Sequence, residues 1–419
     1  MKHPSVRVCS AVALAAVLTF GGGAAANAAP APTLAPATTA ADPLDFYATP
    51  ASLPANNGDL VRAEPSVFYV DPLKTIRAQA AVQRIMYRSV NSAGTPIAVT
   101  GTVLVPYAAW TGSGPRPLVS YAAGTQGQGD QCAPSRAMAA GEEYEGVFLA
   151  GLLARGYSVA VTDYEGLGTA GSHTYMARAS QAHAVLDAAR AAQRLGNPQI
   201  VPGGPVALAG YSQGGGASAA AVELAPQYAP ELNLKGAYAG AVPADLPAVG
   251  RNLDGGLYTG FLLYAVTGMS ATGGLELSPY LNAAGRAKLA ATDTECTVQS
   301  IVSSGFLNTA QLTVSGQKLS SLLDLPEVKP VLAEQKIGNG RAPQVPVLLS
   351  HSLLDDVIPY DQTRQLAKRW CAAGSSVYFD TTAGATHMGG YAAAIPQAFI
   401  FLERRFSGRS AISNCWLVG

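Results

Sequence analysis

"LAGYSQGGGASAA" (Leu208–Ala220) sets a serine between two glycines, in Gly210-Tyr211-Ser212-Gln213-Gly214. This is the G-x-S-x-G spacing that carries a serine on a sharp strand-to-helix turn. With 45 glycines in 419 residues, chance order produces the pattern in roughly one such chain in three, so its surroundings have to decide. Val206-Ala207-Leu208-Ala209 reads as a short buried strand, and Ala217, Ala220, Ala221 and Leu224 recur at helical steps beyond Gly214. Gly210 and Gly214 leave room for strand and helix to approach closely, as the strained turn of a nucleophile requires.

The same grammar extends in both directions. Short apolar runs at Pro117–Ala122, Tyr157–Thr162, Val206–Ala209, Gly236–Ala241 and Val345–Ser350 alternate with helical stretches, the clearest being His173–Leu195. Alternating strands and helices predict a mostly parallel sheet covered on both faces, with ligands at the carboxyl ends of the strands. Upstream, "RIMYRSVNSAGTPIAVTGTVLVP" (Arg84–Pro106) alternates apolar and polar residues around Ser92-Ala93-Gly94 and predicts an antiparallel hairpin. Residues 243–342 interrupt the alternation for about a hundred residues, too long for a loop. We read them as a helical cap dividing the core into 45–242 and 343–419. Within the cap, "GLYTGFLLYAVTGMS" (Gly256–Ser270) is more apolar than one helix stripe needs, and Leu257, Tyr258, Phe261, Leu262 and Leu263 are expected to line a pocket. A plain buried helix is the alternative.

Composition narrows the class. A hydrophobic fraction of 48% with 13% charge fits a globular chain with a large core, and 27 basic against 27 acidic residues leave no electrostatic footprint for nucleic acid. Lys2 and Arg7, the apolar run Ala11–Phe20 and the small-residue site Ala26-Asn27-Ala28 read as a signal peptide over 1–28, so the mature chain is expected to be secreted. The Ala/Pro/Thr-rich stretch 29–44 reads as a flexible leader. Cys9 leaves with the signal peptide, and the even number remaining, Cys132, Cys296, Cys371 and Cys415, favours two disulfides in an exported protein. Of three connectivities we favour Cys132 with Cys296 and Cys371 with Cys415, the latter because both flank the C-terminal strand and helix. No C-x-x-C pair supports a metal or redox site.

A serine hydroxyl needs a neighbouring base, and the base needs an acid to hold its tautomer. In this strand–turn–helix setting the chain order is Ser, Asp/Glu, His. Only His351 and His387 follow Ser212, and His351 precedes the acidic pair of "HSLLDDVIPY" (His351–Tyr360), so His387 is the expected base, in a loop before a helix Tyr391–Phe406. Asp355 is preferred to Asp356 as the acid, the other facing water or a backbone amide. Oxyanion donors are expected from the Gln213 N–H and from "YAAGTQGQGDQCAPS" (Tyr121–Ser135), with Gln126 first and Thr125 second. Asp163 and Glu165 of "DYEGLGT" (Asp163–Thr169) are read as structural supports.

"FYATPASLP" (Phe46–Pro54), "GTQGQGDQCAPS" (Gly124–Ser135), "DYEGLGT", "VLDAARAA" (Val185–Ala192), "GYSQGG" (Gly210–Gly215), "HSLLDDVIPY" and the His387 loop together make the chain resemble the secretory lipases of fungi and actinobacteria, a branch of the α/β-hydrolases. The resemblance implies an α/β-hydrolase core with a helical cap. It also implies ester hydrolysis by a triad of Ser212, Asp355 and His387, without metal or other cofactor, and oxyanion donors at Gln213 and Gln126. Ala123-Gly124-Thr125 stands where relatives often carry His-Gly-Thr. The expected substrate is a small-molecule or lipid ester, with transient lipid-interface contact through the cap; the sequence sets no oligomeric state. An acyltransferase or peptidase would use the same triad, and a binding protein could retain the fold without chemistry.

Overall fold

The computed structural model describes residues 46–273 and 275–418; the signal peptide and leader read from the sequence lie outside them. A nine-stranded sheet organises these residues, with strands β1 (Leu60–Ser66), β2 (Ala80–Val90), β3 (Pro96–Pro106), β4 (Leu118–Ala122), β5 (Ser158–Thr162), β6 (Pro205–Tyr211), β7 (Asn233–Gly240), β8 (Val347–Ser352) and β9 (Val377–Thr382). Their spatial order is β1-β2-β3-β5-β4-β6-β7-β8-β9. The first three strands and the β3–β5 pair are antiparallel, and every pair from β5 to β9 is parallel. β4 and β5 are buried along their whole length, which is why they read as unbroken runs of apolar and small residues. The hairpin β2–β3 turns at Asn91, whose side chain accepts the N–H groups of Ala93 and Thr95, with Gly94 at φ 80° closing the turn.

Side chains alternate across the sheet into two cores. On one face Leu118, Val206 and Leu208 meet the helices Arg178–Arg194, Gln213–Tyr228 and Asp361–Ala372; on the other, Val119 and Tyr121 meet Phe148, Leu152, Phe399 and Leu402 of the helices Gly146–Ala154 and Thr386–Phe406. Two elements differ from the sequence reading. β1 was not anticipated, because an edge strand carrying Arg62, Glu64 and Pro65 has no apolar alternation to read. The helix expected from His173 begins at Arg178, since Met176 has φ 66° and His173 and Tyr175 are engaged in hydrogen bonds below the active-site loops.

Between β7 and β8 the described residues form α-helices Leu246–Leu253, Thr259–Ala271, Ala283–Thr292, Thr297–Ser304 and Val328–Gln335, linked by loops and short 3-10 turns. Helix Thr259–Ala271 is apolar all round because it is sandwiched. A Cβ on Gly260 would lie 2.0 Å from Ser300 Oγ of the neighbouring helix Thr297–Ser304, and one on Gly268 would lie 2.5 Å from the backbone of Tyr175. Disulfide Cys132–Cys296 ties the loop after β4 to the start of helix Thr297–Ser304, and Cys371–Cys415 ties helix Asp361–Ala372 to the C-terminal turn.

The tightest backbone packing surrounds Ser212. A Cβ on Gly214 would stand 2.0 Å from the carbonyl oxygen of Ala122 in β4, and one on Gly210 would stand 2.3 Å from that of Gly214. Neither backbone can retreat, since both belong to the sheet and its crossover helix. Gly214→Ala should therefore destabilise the chain by about 3 kcal/mol, while Gly216→Ala, whose new carbon meets only the ring edge of Pro243 at 3.2 Å, should cost much less. Chemical denaturation of the two variants measures the difference.

Candidate active site

Ser212 sits at φ 60° and ψ −121°, a conformation a side-chain-bearing residue adopts only when its neighbours enforce it. Its N–H donates to the carbonyl of Gly240 at 3.0 Å, and its carbonyl accepts the Gly216 N–H at 2.9 Å. These bonds clamp the turn between β7 and the helix Gln213–Tyr228.

His387 and Asp355 approach from the ends of β9 and β8. The His387 Nδ1 lies 2.7 Å from Asp355 Oδ2, and the Asp355 side chain has no exposed surface. A carboxylate can only accept, so Nδ1 carries the proton and Nε2 remains free as a base. Burial acts to raise the Asp355 pKa, but hydrogen bonds from His351 and His387 and from the Ile358 N–H overcome it and hold the carboxyl well below the usual range. Asp356 plays a different part, for its Oδ1 accepts the backbone N–H of His387 at 2.8 Å. His387 itself lies in the first turn of helix Thr386–Phe406 rather than in a loop before the helix. Thr386, at φ 64°, makes the sharp entry that starts the helix early. Tyr211 fixes the ring from below, its hydroxyl donating to the His387 carbonyl at 2.9 Å and its ring centroid 5.0 Å from the imidazole.

His351, the other histidine after Ser212, contacts Asp355 as His387 Nδ1 does and is absent from the lining of the Ser212 cavity. It is buried, with Nε2 at 2.9 Å from the Ile358 carbonyl and 3.3 Å from Asp355 Oδ2, and Nδ1 facing Thr363 Oγ1 at 2.7 Å. Both neighbours of Nε2 are acceptors, so Nε2 carries the proton and points it at the acid. Its place four residues before Asp355 was the only available sequence signal.

The loop after β4 faces Ser212 across a cavity lined by Thr125, Gln126, Tyr211, Ser212 and His387. Thr297 holds this loop from the start of helix Thr297–Ser304, its hydroxyl donating to the Thr125 carbonyl and its N–H to the Gln126 carbonyl. The Thr125 hydroxyl pairs with Tyr175 at 2.7 Å, and Gly124 and the Gln126 side chain donate to Glu145 and Glu143. Among the described residues no protein acceptor takes the backbone N–H of Thr125, Gln126 or Gln213, which leaves these donors for a ligand. The Gln213 side chain is placed by His173, whose Nε2 accepts it at 3.0 Å while Nδ1 donates to the Glu165 carbonyl. Burial lowers the His173 pKa to about 4, so the ring is a neutral acceptor at neutral pH. Asp163 accepts from Ser135 and Thr100, and Glu165 from Thr174 and Ser180, so neither carboxylate faces the cavity.

Ser212 opens on two spaces of different character. One is slender and apolar, about 70 Å³, bounded by Leu246, Val249, Leu262, Val266 and Leu322 of the helices between β7 and β8. The other is the roomier cavity of about 470 Å³ described above, where Gln131, Glu142 and Thr297 join Tyr258, Phe261 and the Cys132–Cys296 bridge. Of the expected pocket residues, Phe261 lines both spaces, Leu262 the first and Tyr258 the second. Leu263 instead packs fully buried into the core, turned away by the rotation of about 100° per helical residue, and Leu257, in the turn before the helix, faces solvent.

A serine on a strained turn after the middle of a parallel sheet, with a histidine and acid from later strands, defines the α/β-hydrolase class. Residues 133–414 match the family model described as secretory lipase, and the chain belongs to that family. Similar proteins include the "Probable inactive lipase MT1628" of Mycobacterium tuberculosis, 30% identical over 78% of this chain and 74% of that one. Another is the "Secreted triacylglycerol lipase LIP5" of Malassezia globosa, 29% identical over 79% of this chain and 71% of that one. Among solved structures, Candida antarctica lipase A superposes with a TM-score of 0.78 at 25% identity, covering 88% of this chain and 87% of that one.

The two aspartates separate cleanly by experiment. Asp355→Asn should lower kcat about a thousandfold or more, because an amide cannot hold the Nδ1–H tautomer as the carboxylate does. Asp356→Asn keeps an oxygen for the His387 N–H and should cost less than about tenfold. Steady-state kinetics on a short p-nitrophenyl ester measures both.

Proposed function

We propose that this chain is a secreted carboxylic ester hydrolase that works through an acyl-enzyme on Ser212. The observation that carries the reading is the His387–Asp355 pair at 2.7 Å sharing one cavity with Ser212 and the free N–H groups of the loop after β4. His387 Nε2 takes the Ser212 proton as the hydroxyl attacks the ester carbonyl. The oxyanion is met by the N–H groups of Gln213 and Gln126, with that of Thr125 beside them. The imidazolium, steadied by Asp355, then protonates the departing alcohol, and water repeats the sequence to release the acid.

The two spaces divide the substrate. The slender apolar one under the cap, which we assign to residues 243–342, suits an acyl chain, and the roomier mixed one suits the alcohol. The relatives' names as lipases favour a lipid ester. Contact with a lipid surface has a candidate in Val298, Val302 and Phe306, which are 73%, 81% and 71% exposed on and just after helix Thr297–Ser304, the first of them also lining the roomier cavity.

One relative is named inactive, so the activity rests on this chain's own side chains rather than on kinship. An alkyl fluorophosphonate should label Ser212, and Ser212→Ala should abolish both labelling and turnover while leaving the fold intact. An unlabelled wild type would mean a binding protein on this fold. Leu262→Asp should lower kcat/KM on long acyl esters at least about tenfold more than on acetate, since each buried methylene contributes about 0.8 kcal/mol. Equal losses at every chain length would place the acyl chain elsewhere. Val302→Asp with Phe306→Asp should weaken binding to phospholipid vesicles in flotation while sparing soluble short esters; unchanged flotation would remove the cap rim from the account.

A further inference from the structure

The sequence "GEEYEG" (Gly141–Gly146) resembles a solvated acidic turn, yet its glutamates alternate between the surface and the interior. Glu142 is exposed, whereas Glu143 and Glu145 are 5% and 1% exposed, directly beneath the loop that faces Ser212. Glu145 Oε2 accepts the backbone N–H of Gly124 at 2.7 Å, and Glu143 Oε1 accepts the Gln126 side-chain amide at 3.2 Å. The two glutamates are joined to each other, since Glu143 Oε1 also accepts the Glu145 N–H at 3.1 Å. The site is so tight that a Cβ on Gly124 would lie 2.2 Å from the Tyr144 hydroxyl and 3.3 Å from Glu145 Oε1.

No salt bridge joins either carboxylate to a cation among the described residues, and Glu143 Oε2 is buried without a hydrogen-bond partner. Two unneutralised carboxylates in so dry a place cannot both ionise cheaply. The groups around them supply no positive charge: Tyr121 on β4, whose hydroxyl bonds to Glu145, Tyr238 on β7, Tyr391 on helix Thr386–Phe406, and Tyr164 in the loop after β5 are all pushed above the usual phenol range by burial and so stay neutral. The remaining charged neighbour, Asp163, is itself an acid.

We propose that Glu143 and Glu145 form a proton-holding carboxyl pair that positions the oxyanion loop Gly124–Gln126 and keeps a second negative charge from developing beneath it. The proton sits on an oxygen not used to hold the loop, so the acceptors for Gly124 and Gln126 stay in place whether the pair is singly or doubly protonated. Burial, with each carboxyl opposing the other's ionisation, holds the pair protonated through neutral pH. When the last proton leaves in alkali, two negative charges lie behind the donors that must stabilise an oxyanion, and turnover falls. These are positioning residues: they act through Gly124 and Gln126 and touch no substrate.

The inference rests on the ester hydrolase reading, and its test separates the two. Wild type, Glu143→Gln and Glu145→Gln each keep an oxygen acceptor for the loop, and each variant can carry at most one negative charge at the pair. Wild-type kcat should fall about tenfold across an alkaline limb, and in either variant that limb should shrink to about twofold or less. A readout independent of catalysis follows from linkage. Glu143 holds its proton more tightly in the folded chain, so its own contribution to stability is fully present below the ordinary glutamate range and is lost as pH rises to about 7. Glu143→Gln should flatten that decline in Tm against pH. If Ser212 is labelled by fluorophosphonate and esters are hydrolysed, yet the alkaline limb and the Tm profile are the same in all three proteins, the pair is structural only and the proposal is wrong. If Ser212 is not labelled in wild type, the hydrolase reading on which it rests is overturned instead.

Discussion

The contact between Gly214 and the carbonyl of Ala122 is the constraint on which the site depends. Because no side chain intervenes, helix Gln213–Tyr228 lies against the end of β4 with 2.0 Å to spare for a Cβ that is not there. That closeness forces Ser212 into its strained turn and brings the N–H of Gln213 to the same side as the loop leaving β4. A larger residue at Gly214 would push Ser212 away from the loop that leaves β4. The cost of the strained turn, on the order of 1–3 kcal/mol, is offset by the buried parallel strands on either side.

The remaining functional groups are held to this turn by short polar chains. Asp355 is fixed by the N–H groups of Val357 and Ile358 and approached by His351, so the acid is oriented before it meets His387. Asp356, pointing the other way from the same turn, takes the His387 backbone. On the opposite side, His173 and Tyr175 reach Gln213 and Thr125 from one loop, so the turn after Ser212 and the loop after β4 share a support. The Cys132–Cys296 bridge and the Thr297 bonds attach the loop after β4 to helix Thr297–Ser304, which makes that helix part of the cavity wall.

Much of this was legible in the sequence because it follows from local pattern. Strands β4 to β8 are apolar runs, the hairpin β2–β3 alternates, and the glycines flanking Ser212 state how closely strand and helix approach. The order of Ser212, Asp355 and His387 along the chain singled them out for the same reason that the structure brings them to one edge of the sheet. What was not legible depends on contacts between distant segments. Nothing local reveals that His351 turns inward to Asp355, that His173 leaves its expected helix to meet Gln213, or that Glu143 and Glu145 are buried while Glu142 is not. Edge strand β1 escaped because its pairing needs only one partner and half of its surface is polar. Leu263 was misplaced because apolar content identifies a buried helix without giving its rotation.

A structure of the protein after reaction with a long-chain alkyl phosphonate tests the central claim most directly. The account predicts phosphorus bonded to Ser212 Oγ, the phosphoryl oxygen within hydrogen-bond distance of the Gln213 and Gln126 or Thr125 N–H groups, and the alkyl chain passing Leu262 into the slender space under the cap. A phosphoryl oxygen turned away from those donors, or a chain lying in the roomier cavity beside the Cys132–Cys296 bridge, would contradict it.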